Sequence, residues 1–185
     1  MTRAAGAAAP VEVRTESAGD TRALGTALAR GLRPGDVVLL GGDLGSGKTT
    51  LAQGIAAGLG VADNVTSPTF TLVRSYPCLV PATAGDRSSS GTLPTVRTFI
   101  HADLYRLDHT REVVDLAIGE LVEEAAVAVV EWGDVAEPVL GGDTLSVRLA
   151  PGNGDDERCV TITVSPAWGA RRDELAGLLA GWVRS

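Results

Sequence analysis

The segment Gly-Asp-Leu-Gly-Ser-Gly-Lys-Thr at residues 42–49 constrains this chain more than any other feature, because it fits the phosphate-binding pattern GxxxxGK[ST]. The apolar run at 36–42 predicts a strand that is buried on both faces of a parallel sheet. Residues 49–60 predict a helix that ends at a glycine. A P-loop lies between such a strand and such a helix, so pattern and context indicate a phosphate site rather than an ordinary glycine turn.

The remaining segments predict a three-layer α/β P-loop NTPase fold, with a mostly parallel sheet and flanking helices. Alternation at 11–15 predicts a strand, and Asp20 is predicted to cap the helix that follows. Two alternating segments around Pro-Gly-Asn-Gly-Asp predict an antiparallel C-terminal hairpin. Strand patterns also lie within 64–77, 95–107 and 127–133, and a helical pattern lies at 109–125. A terminal helix is predicted to have one apolar face, interpreted as core or partner surface, that consists of Leu175, Leu178, Leu179 and Trp182.

Length and composition predict one domain. The 185 residues are 44% apolar, and no apolar run approaches the roughly 20 residues of a membrane-spanning helix. We expect residues 1–9 to form a disordered tail without the features of a secretory signal, so the protein is predicted to be soluble and cytoplasmic. Residues 10–185 are predicted to form a single P-loop ATPase domain, in which 78–94, rich in Pro, Ser, Gly and Thr, is a flexible insertion.

The charge balance and the cysteines disfavour two classes of function. Acidic residues outnumber basic ones 23 to 16, for a net charge of −7, which disfavours tight direct binding of nucleic acid. Cys78 and Cys159 have neither metal-ligand nor CxxC spacing, which argues against a zinc site and a redox motif. The chain contains a single lysine, Lys48, and it lies in the phosphate motif.

The motif provides the groups that a polyphosphate needs. Gly42, Gly45 and Gly47 let the backbone bend so that successive N–H groups face phosphate oxygens, and the next helix adds partial positive charge at its N-terminus. Lys48 supplies a charge for the β- and γ-phosphates, and the hydroxyl of Thr49 can complete a Mg²⁺ shell.

Two acidic residues follow predicted strands, Asp103 and Glu131, and ligands gather at that edge of an open α/β sheet. Glu131 follows the cleaner apolar run, so we favour it for Mg²⁺, directly or through water, with Asp103 holding a metal-bound or attacking water. The opposite assignment stays open, as does the interpretation of each as an ordinary strand-end acid.

Other polar and aromatic residues have weaker signals. Thr69, about twenty residues beyond the loop, is either a switch threonine that senses the γ-phosphate or a capping hydroxyl in a proline turn. Trp132 is either a contact for nucleotide or partner or a core residue. His101 and His109 have no partner pattern and are predicted to be structural or surface residues.

Four segments, GDLGSGKTT, NVTSPTFTLV, HADLYRL and VEWGD, occur in this order and at intervals that resemble the bacterial TsaE family. The resemblance covers about 11–165 and implies an ATPase that binds ATP and Mg²⁺ and acts with TsaB and TsaD in threonylcarbamoyladenosine modification of tRNA. It implies that ATP hydrolysis resets the complex between turnovers. From the net charge we expect tRNA to be met only through the partners, and from the lack of a long apolar run we expect no membrane to be involved. The insertion at 78–94 departs from the family pattern.

The resemblance also implies roles for individual residues. Catalysis is assigned to Lys48, Asp103 and Glu131, and Mg²⁺ binding to Thr49 and Glu131. The segment 67–69 is implied as a switch, and the turn at Ser17 or Ala18 as a further nucleotide contact. Nucleotide binding is assigned to Asp43, Leu44, Gly45, Ser46, Gly47, Lys48, Thr49, Thr50, Thr69 and Trp132.

Three rival functions share the motif. A small-molecule kinase is the main alternative, but it needs an acceptor pocket and an arginine-bearing lid, and the segment between Arg87 and Arg97 is too featureless for one. A GTPase is disfavoured because the chain contains no NKxD-like guanine reader. A module that binds ATP without hydrolysing it needs Lys48 and Thr49 but not two strand-end acids.

Overall fold

The computed structural model describes residues 9–68, 71–79, 95–105, 120, 122, 125–135 and 143–183. The elements are β1 (Val11–Thr15), α1 (Ala18–Ala29), β2 (Val37–Gly41), α2 (Lys48–Gly58), β3 (Val73–Pro77), β4 (Thr98–Asp103), β5 (Ala126–Glu131), β6 (Thr144–Pro151), β7 (Arg158–Val164) and α3 (Arg171–Leu179). The seven strands form one sheet in the order β1-β7-β6-β2-β5-β4-β3.

The centre of the sheet is parallel, and its two sides are antiparallel. Strand β2 pairs in parallel with β5 and β6, and β5 pairs in parallel with β4. Strands β7, β1 and β3 add in antiparallel register, and β6 with β7 form the predicted hairpin. The predicted fold class is therefore confirmed. Because β2, β4 and β5 are parallel, their carboxyl ends meet at one edge, where the phosphate motif begins.

Successive residues of β2 point to opposite faces of the sheet, and both faces are buried. Val38 and Leu40 belong to the larger core cluster, which includes residues of α1, α2 and α3. Val37 and Leu39 belong to the second cluster, where Val122 is also buried. These two cores explain why β2 is a continuous apolar run rather than an alternating one.

Glycines inside the two long helices allow α1 and α2 to pack closely. A Cβ atom on Gly54 would lie 2.1 Å from the carbonyl oxygen of Arg22, and one on Gly25 would lie 2.5 Å from that of Leu51. Both contacts are with backbone atoms, so neither position has room for a side chain. The glycines therefore do not break the predicted helix but set its distance from α1.

The predicted cap of α1 was wrong. Ser17, not Asp20, is the N-cap residue, because its extended backbone precedes the helix and its hydroxyl accepts the Asp20 N–H at 3.0 Å. Asp20 lies in the first turn, where its carboxylate accepts the Glu16 N–H at 3.1 Å. The helix thus begins nearly one turn earlier than the sequence indicated.

Helix α3 is attached to the sheet by a partly buried ion pair and its neighbours. The Arg171 guanidinium forms an ion pair with both carboxylate oxygens of Asp36, one of them at 3.0 Å, and its carbon lies 4.0 Å from the ring centroid of Trp168. The Arg33 N–H also donates to Asp36, at 2.7 Å. Of the four residues predicted to form a core or partner surface, Leu175 and Leu179 are fully buried in the core, whereas Leu178 and Trp182 are partly buried.

Three predicted segments fall largely outside the described residues: the tail at 1–9, the insertion at 78–94 and the helix at 109–125. Cys78, the first residue of the predicted insertion, is buried and donates its N–H to the carbonyl of Arg97 at 2.8 Å, so strand pairing continues into that range. Among the helices of the described segments, none combines the length and apolarity that crossing a membrane requires.

Candidate functional site

The phosphate motif forms a loop between β2 and α2 whose bends depend on glycine. Gly42, Gly45 and Gly47 have φ values of 132°, 78° and 101°, a region that other residues rarely adopt. At Gly42 a Cβ atom would also lie 2.3 Å from the carbonyl oxygen of Leu149. The loop conformation therefore requires the glycines that the sequence places there.

Lys48 lies at the centre of this loop. Its ammonium donates hydrogen bonds to the carbonyl oxygens of Gly42 at 2.7 Å and Asp43 at 2.8 Å, and it lies 4.0 Å from the ring centroid of Trp132. Only 5% of the residue is exposed, and this burial lowers the pKa of Lys48, while Glu131, Asp103, Asp43 and Asp134 act in the opposite direction. The lysine thus has weak acceptors that a phosphate can replace.

Glu131 bridges α2 and β4 through its two carboxylate oxygens. The Thr49 hydroxyl donates to Oε2 at 3.0 Å, and His101 Nε2 lies 2.8 Å from Oε1. Glu131 is 3% exposed and His101 is fully buried. Since a carboxylate only accepts hydrogen bonds, Nε2 is the protonated nitrogen of the imidazole. This arrangement fixes the Glu131 carboxylate beside the Thr49 hydroxyl.

Asp103 lies next to Glu131, directly across the β4–β5 pairing. It accepts hydrogen bonds from the Ser67 hydroxyl at 2.6 Å and from the Tyr105 N–H at 3.0 Å. Ser67 belongs to the predicted switch segment 67–69, so that segment contacts a predicted catalytic acid. Thr69 itself lies outside the described residues.

These groups surround one cavity of about 440 Å³. Eleven residues line it, and two of them, Ser67 and Tyr105, were not among the residues assigned to the site from the sequence. The other nine were predicted site residues: Leu44, Gly45, Gly47, Lys48, Thr49, Thr50, Asp103, Glu131 and Trp132. Asp43 and Ser46 do not line it, but the Asp43 carbonyl accepts the Ser46 N–H at 3.1 Å and so closes the loop. Ser17 and Ala18 do not line it either, and Ser17 serves as the cap of α1.

Trp132 is part of the site wall rather than the core interior. It has a φ of 59°, in the left-handed region, immediately after Glu131. Its ring packs on that of Tyr105, with centroids 5.0 Å apart, and lies over the Lys48 ammonium. The residue is partly buried and also packs against the second core cluster. The strained backbone turns the indole away from the strand and into the cavity lining.

The chemistry of the donors fits a magnesium ion that is shared with a phosphate ligand. Thr49 offers a hydroxyl beside the Glu131 carboxylate, and Asp103 lies close by. Within the segments that the structure describes, no group of three or more His, Cys, Asp or Glu side chains could hold a metal alone. Mg²⁺ commonly takes one or two protein oxygens and completes its shell with water and substrate phosphates.

His101 is the site residue that sequence reasoning missed. It was predicted to be structural or superficial, yet its ring contacts the acid favoured for magnesium. The signal was available in the spacing, because His101 and Asp103 are two residues apart on one strand and so face the same way. Tyr105 was missed as well, although it lies two residues beyond the same acid.

A glycine-rich loop with an adjoining lysine, a threonine hydroxyl and two strand-end acids, at the carboxyl edge of a parallel sheet, defines a nucleotide-binding protein of the P-loop fold. The family "Threonylcarbamoyl adenosine biosynthesis protein TsaE" matches residues 15–160. The chain therefore belongs to the TsaE family.

Individual relatives agree with the family assignment. The chain is 37% identical over 150 residues to the tRNA threonylcarbamoyladenosine biosynthesis protein TsaE of Bacillus subtilis, covering 81% of this chain and 83% of the relative. It is 41% identical over 146 residues to the TsaE protein of Streptomyces coelicolor, covering 77% and 88%. The crystal structure of Bacillus subtilis YdiB matches with a TM-score of 0.67 at 30% identity, covering 91% of this chain and 95% of that one.

Proposed function

We propose that this chain binds ATP with Mg²⁺ and hydrolyses it, and that it does so in the cytoplasm for the threonylcarbamoyladenosine modification of tRNA. One observation carries the proposal: Lys48, Thr49, Asp103 and Glu131 converge on a single cavity at the phosphate loop. A site that only bound nucleotide would need the lysine and the threonine. Two buried acids beside them support phosphate hydrolysis.

The loop residues bind and orient the triphosphate. Backbone N–H groups of the loop and of the first turn of α2 face the phosphate oxygens, aided by the positive end of the helix. Lys48 leaves the carbonyls of Gly42 and Asp43 to donate to the β- and γ-phosphates. Its position over the Trp132 ring keeps the ammonium partly desolvated, which strengthens its attraction for phosphate.

The two acids, Glu131 and Asp103, have different roles in this proposal. Thr49 and Glu131 would hold Mg²⁺, and His101 keeps the Glu131 carboxylate in place. A bound ion would neutralise the charge that develops on the phosphate oxygens. Asp103, fixed by Ser67 and the Tyr105 N–H, orients the attacking water and accepts its proton.

Partners called TsaB and TsaD complete the function in this proposal. Among the described residues, no arginine lines the cavity, and Arg106 lies outside them. A positive charge over the γ-phosphate can raise turnover by about 10³-fold or more, so the chain alone is expected to be slow. The net charge of −7 offers little to an RNA backbone, so tRNA is reached through the partners.

Phosphate release from ATP, measured for the chain alone and with TsaB and TsaD, tests the proposal. We expect slow release alone, a changed rate with both partners, and a loss of about 10²–10³-fold in Lys48→Ala. Arg30→Ala, which removes an exposed cation at the C-terminal end of α1, is the control and should release phosphate at the wild-type rate. Unchanged binding and turnover in Lys48→Ala would contradict the phosphate site, and phosphate transfer to a metabolite would favour a kinase.

A second experiment tests the partner role. Partner binding is compared in ATP and ADP by pull-down, with the wild-type chain and with Thr69→Ala, because a switch segment should respond to the γ-phosphate. A gel-shift titration with tRNA accompanies it. Tight binding of tRNA by the chain alone, or partner binding that ignores both nucleotide and Thr69→Ala, would overturn this part of the proposal.

A further inference from the structure

Arg158, the first residue of β7, connects the phosphate loop to the turn of the β6–β7 hairpin. Its Nε donates to the carbonyl of Ser46 at 3.0 Å, and its Nη2 to that of Gly45 at 3.4 Å. Its Nη1 donates to the carbonyls of Asp155 and Glu157, both at 2.8 Å. One edge of the guanidinium therefore faces the phosphate loop, and Nη1 faces the hairpin turn.

The two contacts with the loop determine where its N–H groups point. In a trans peptide unit the C=O of one residue and the N–H of the next point in opposite directions. Arg158 draws the Ser46 carbonyl to itself, so the Gly47 N–H is directed to the other side, and Gly47 lines the cavity. In the preceding peptide unit Arg158 binds the Gly45 carbonyl, while the Ser46 N–H is directed to the Asp43 carbonyl.

The hairpin turn next to Arg158 is held by several hydrogen bonds of its own. The Glu157 carboxylate accepts the N–H groups of Asn153 and Gly154 at 3.1 and 3.2 Å, and the Glu157 carbonyl accepts the Gly152 N–H at 2.8 Å. Arg158 is also paired in the sheet with Thr15 of β1 and Pro151 of β6. A side chain attached to such a turn can restrain the glycine-rich loop, whose glycines are otherwise free to adopt other backbone conformations.

We propose that Arg158 is a positioning residue for the phosphate site, holding the carbonyls of Gly45 and Ser46 outward so that the Gly47 N–H is available to a nucleotide diphosphate group. Arg158 does not line the cavity, so it acts through the loop rather than on the ligand. The inference rests on the proposed nucleotide binding. A lysine could not replace it fully, because three donors on one nitrogen cannot span both the loop and the hairpin turn.

The test compares Arg158→Gln and Arg158→Lys with the wild-type chain by calorimetric titration of Mg-ADP and Mg-ATP. Arg14→Gln is the matched control, since Arg14 contacts the same turn through Glu157 at 3.5 Å but does not reach the loop. We expect the Kd values of both nucleotides to rise by the same factor, about tenfold in Arg158→Gln and less in Arg158→Lys. We also expect faster amide hydrogen exchange at residues 42–47 in the free Arg158→Gln protein.

Other results from the folded variants would overturn the inference. An Arg158→Gln protein that binds ADP normally and loses only ATP would assign the arginine to the γ-phosphate itself, and an equal loss in Arg14→Gln would assign the effect to the hairpin. Unchanged amide hydrogen exchange at residues 42–47 in Arg158→Gln would contradict the proposed restraint of the loop. If Arg158→Gln does not fold, Arg158→Lys carries the comparison. A wild-type chain that binds no nucleotide overturns the proposed function and this inference together, whereas normal binding in both variants overturns this inference alone.

Discussion

Replacing Glu131 by glutamine separates the charge of this residue from its shape. The amide can still accept from His101 through its oxygen, and its NH₂ group can donate to the Thr49 hydroxyl, so both contacts of the carboxylate have a replacement. We therefore expect the free energy of unfolding to change by only about 1 kcal/mol. What the variant loses is the negative charge beside Thr49.

The loss should appear in every property that depends on magnesium. Removing a residue that binds or orients a metal costs about 10–100-fold in metal affinity, and loss of one preorganised electrostatic contact costs about 10²–10³-fold in turnover. Lys48 is affected too, because the Glu131 charge raises its pKa against the effect of burial. Without that charge the pKa of Lys48 falls further, and the alkaline limit of nucleotide binding moves to lower pH.

The assay is phosphate release as a function of Mg²⁺ concentration, with ADP titrations in Mg²⁺ and in EDTA. Glu131→Gln should require more Mg²⁺ and bind ADP normally in EDTA. Asp103→Asn should lose turnover without a change in Mg²⁺ requirement. Wild-type turnover in Glu131→Gln would refute the reasoning, and a shifted Mg²⁺ requirement in Asp103→Asn alone would exchange the roles of the two acids.

Three further predictions concern other parts of the molecule. Burial lowers the pKa of Lys48, so its ammonium should lose its proton, and ADP affinity should fall, at a pH below the ordinary lysine pKa of 10.5. The ADP affinity of Lys48→Arg should stay constant over the same pH range. His101→Leu should raise the Mg²⁺ requirement about tenfold, and His101→Gln, which keeps a donor for Glu131, should restore it in the phosphate-release assay. Asp36→Ala should lower the free energy of unfolding in urea by about 3 kcal/mol, because it leaves the partly buried Arg171 guanidinium without its carboxylate partner. Since Asp36 precedes β2 at the opposite end from the loop, an accompanying loss of ADP affinity would contradict this last prediction.

Much of the site could be predicted because its parts follow local rules. The loop, Lys48 and Thr49 are contiguous, and parallel strands carry Asp103 and Glu131 to one edge whatever the details of packing. The boundaries of β1 and the C-terminal hairpin were also accessible, because alternation reports directly which face is buried.

The parts that escaped prediction depend on pairing between distant segments. Arg158 meets Ser46 across 112 residues, and that separation carries no pattern. His101 shares a strand face with Asp103, but its contact with Glu131, 30 residues away, depends on the pairing of β4 with β5. Ser17 was missed for a different reason: two residues near the start of α1 could act as its cap, and backbone conformation decides between them. Such choices are made by tertiary structure rather than by local sequence.

The environment of Lys48 has a consequence for covalent chemistry. Lys48 is the only lysine in the sequence, so apart from its amino terminus the chain offers amine-directed reagents one target. That amine is almost fully enclosed by loop carbonyls and an indole ring. Acylation of a lysine in this protein is therefore equivalent to modification of the phosphate site, and a bound nucleotide should protect the chain from lysine acylation.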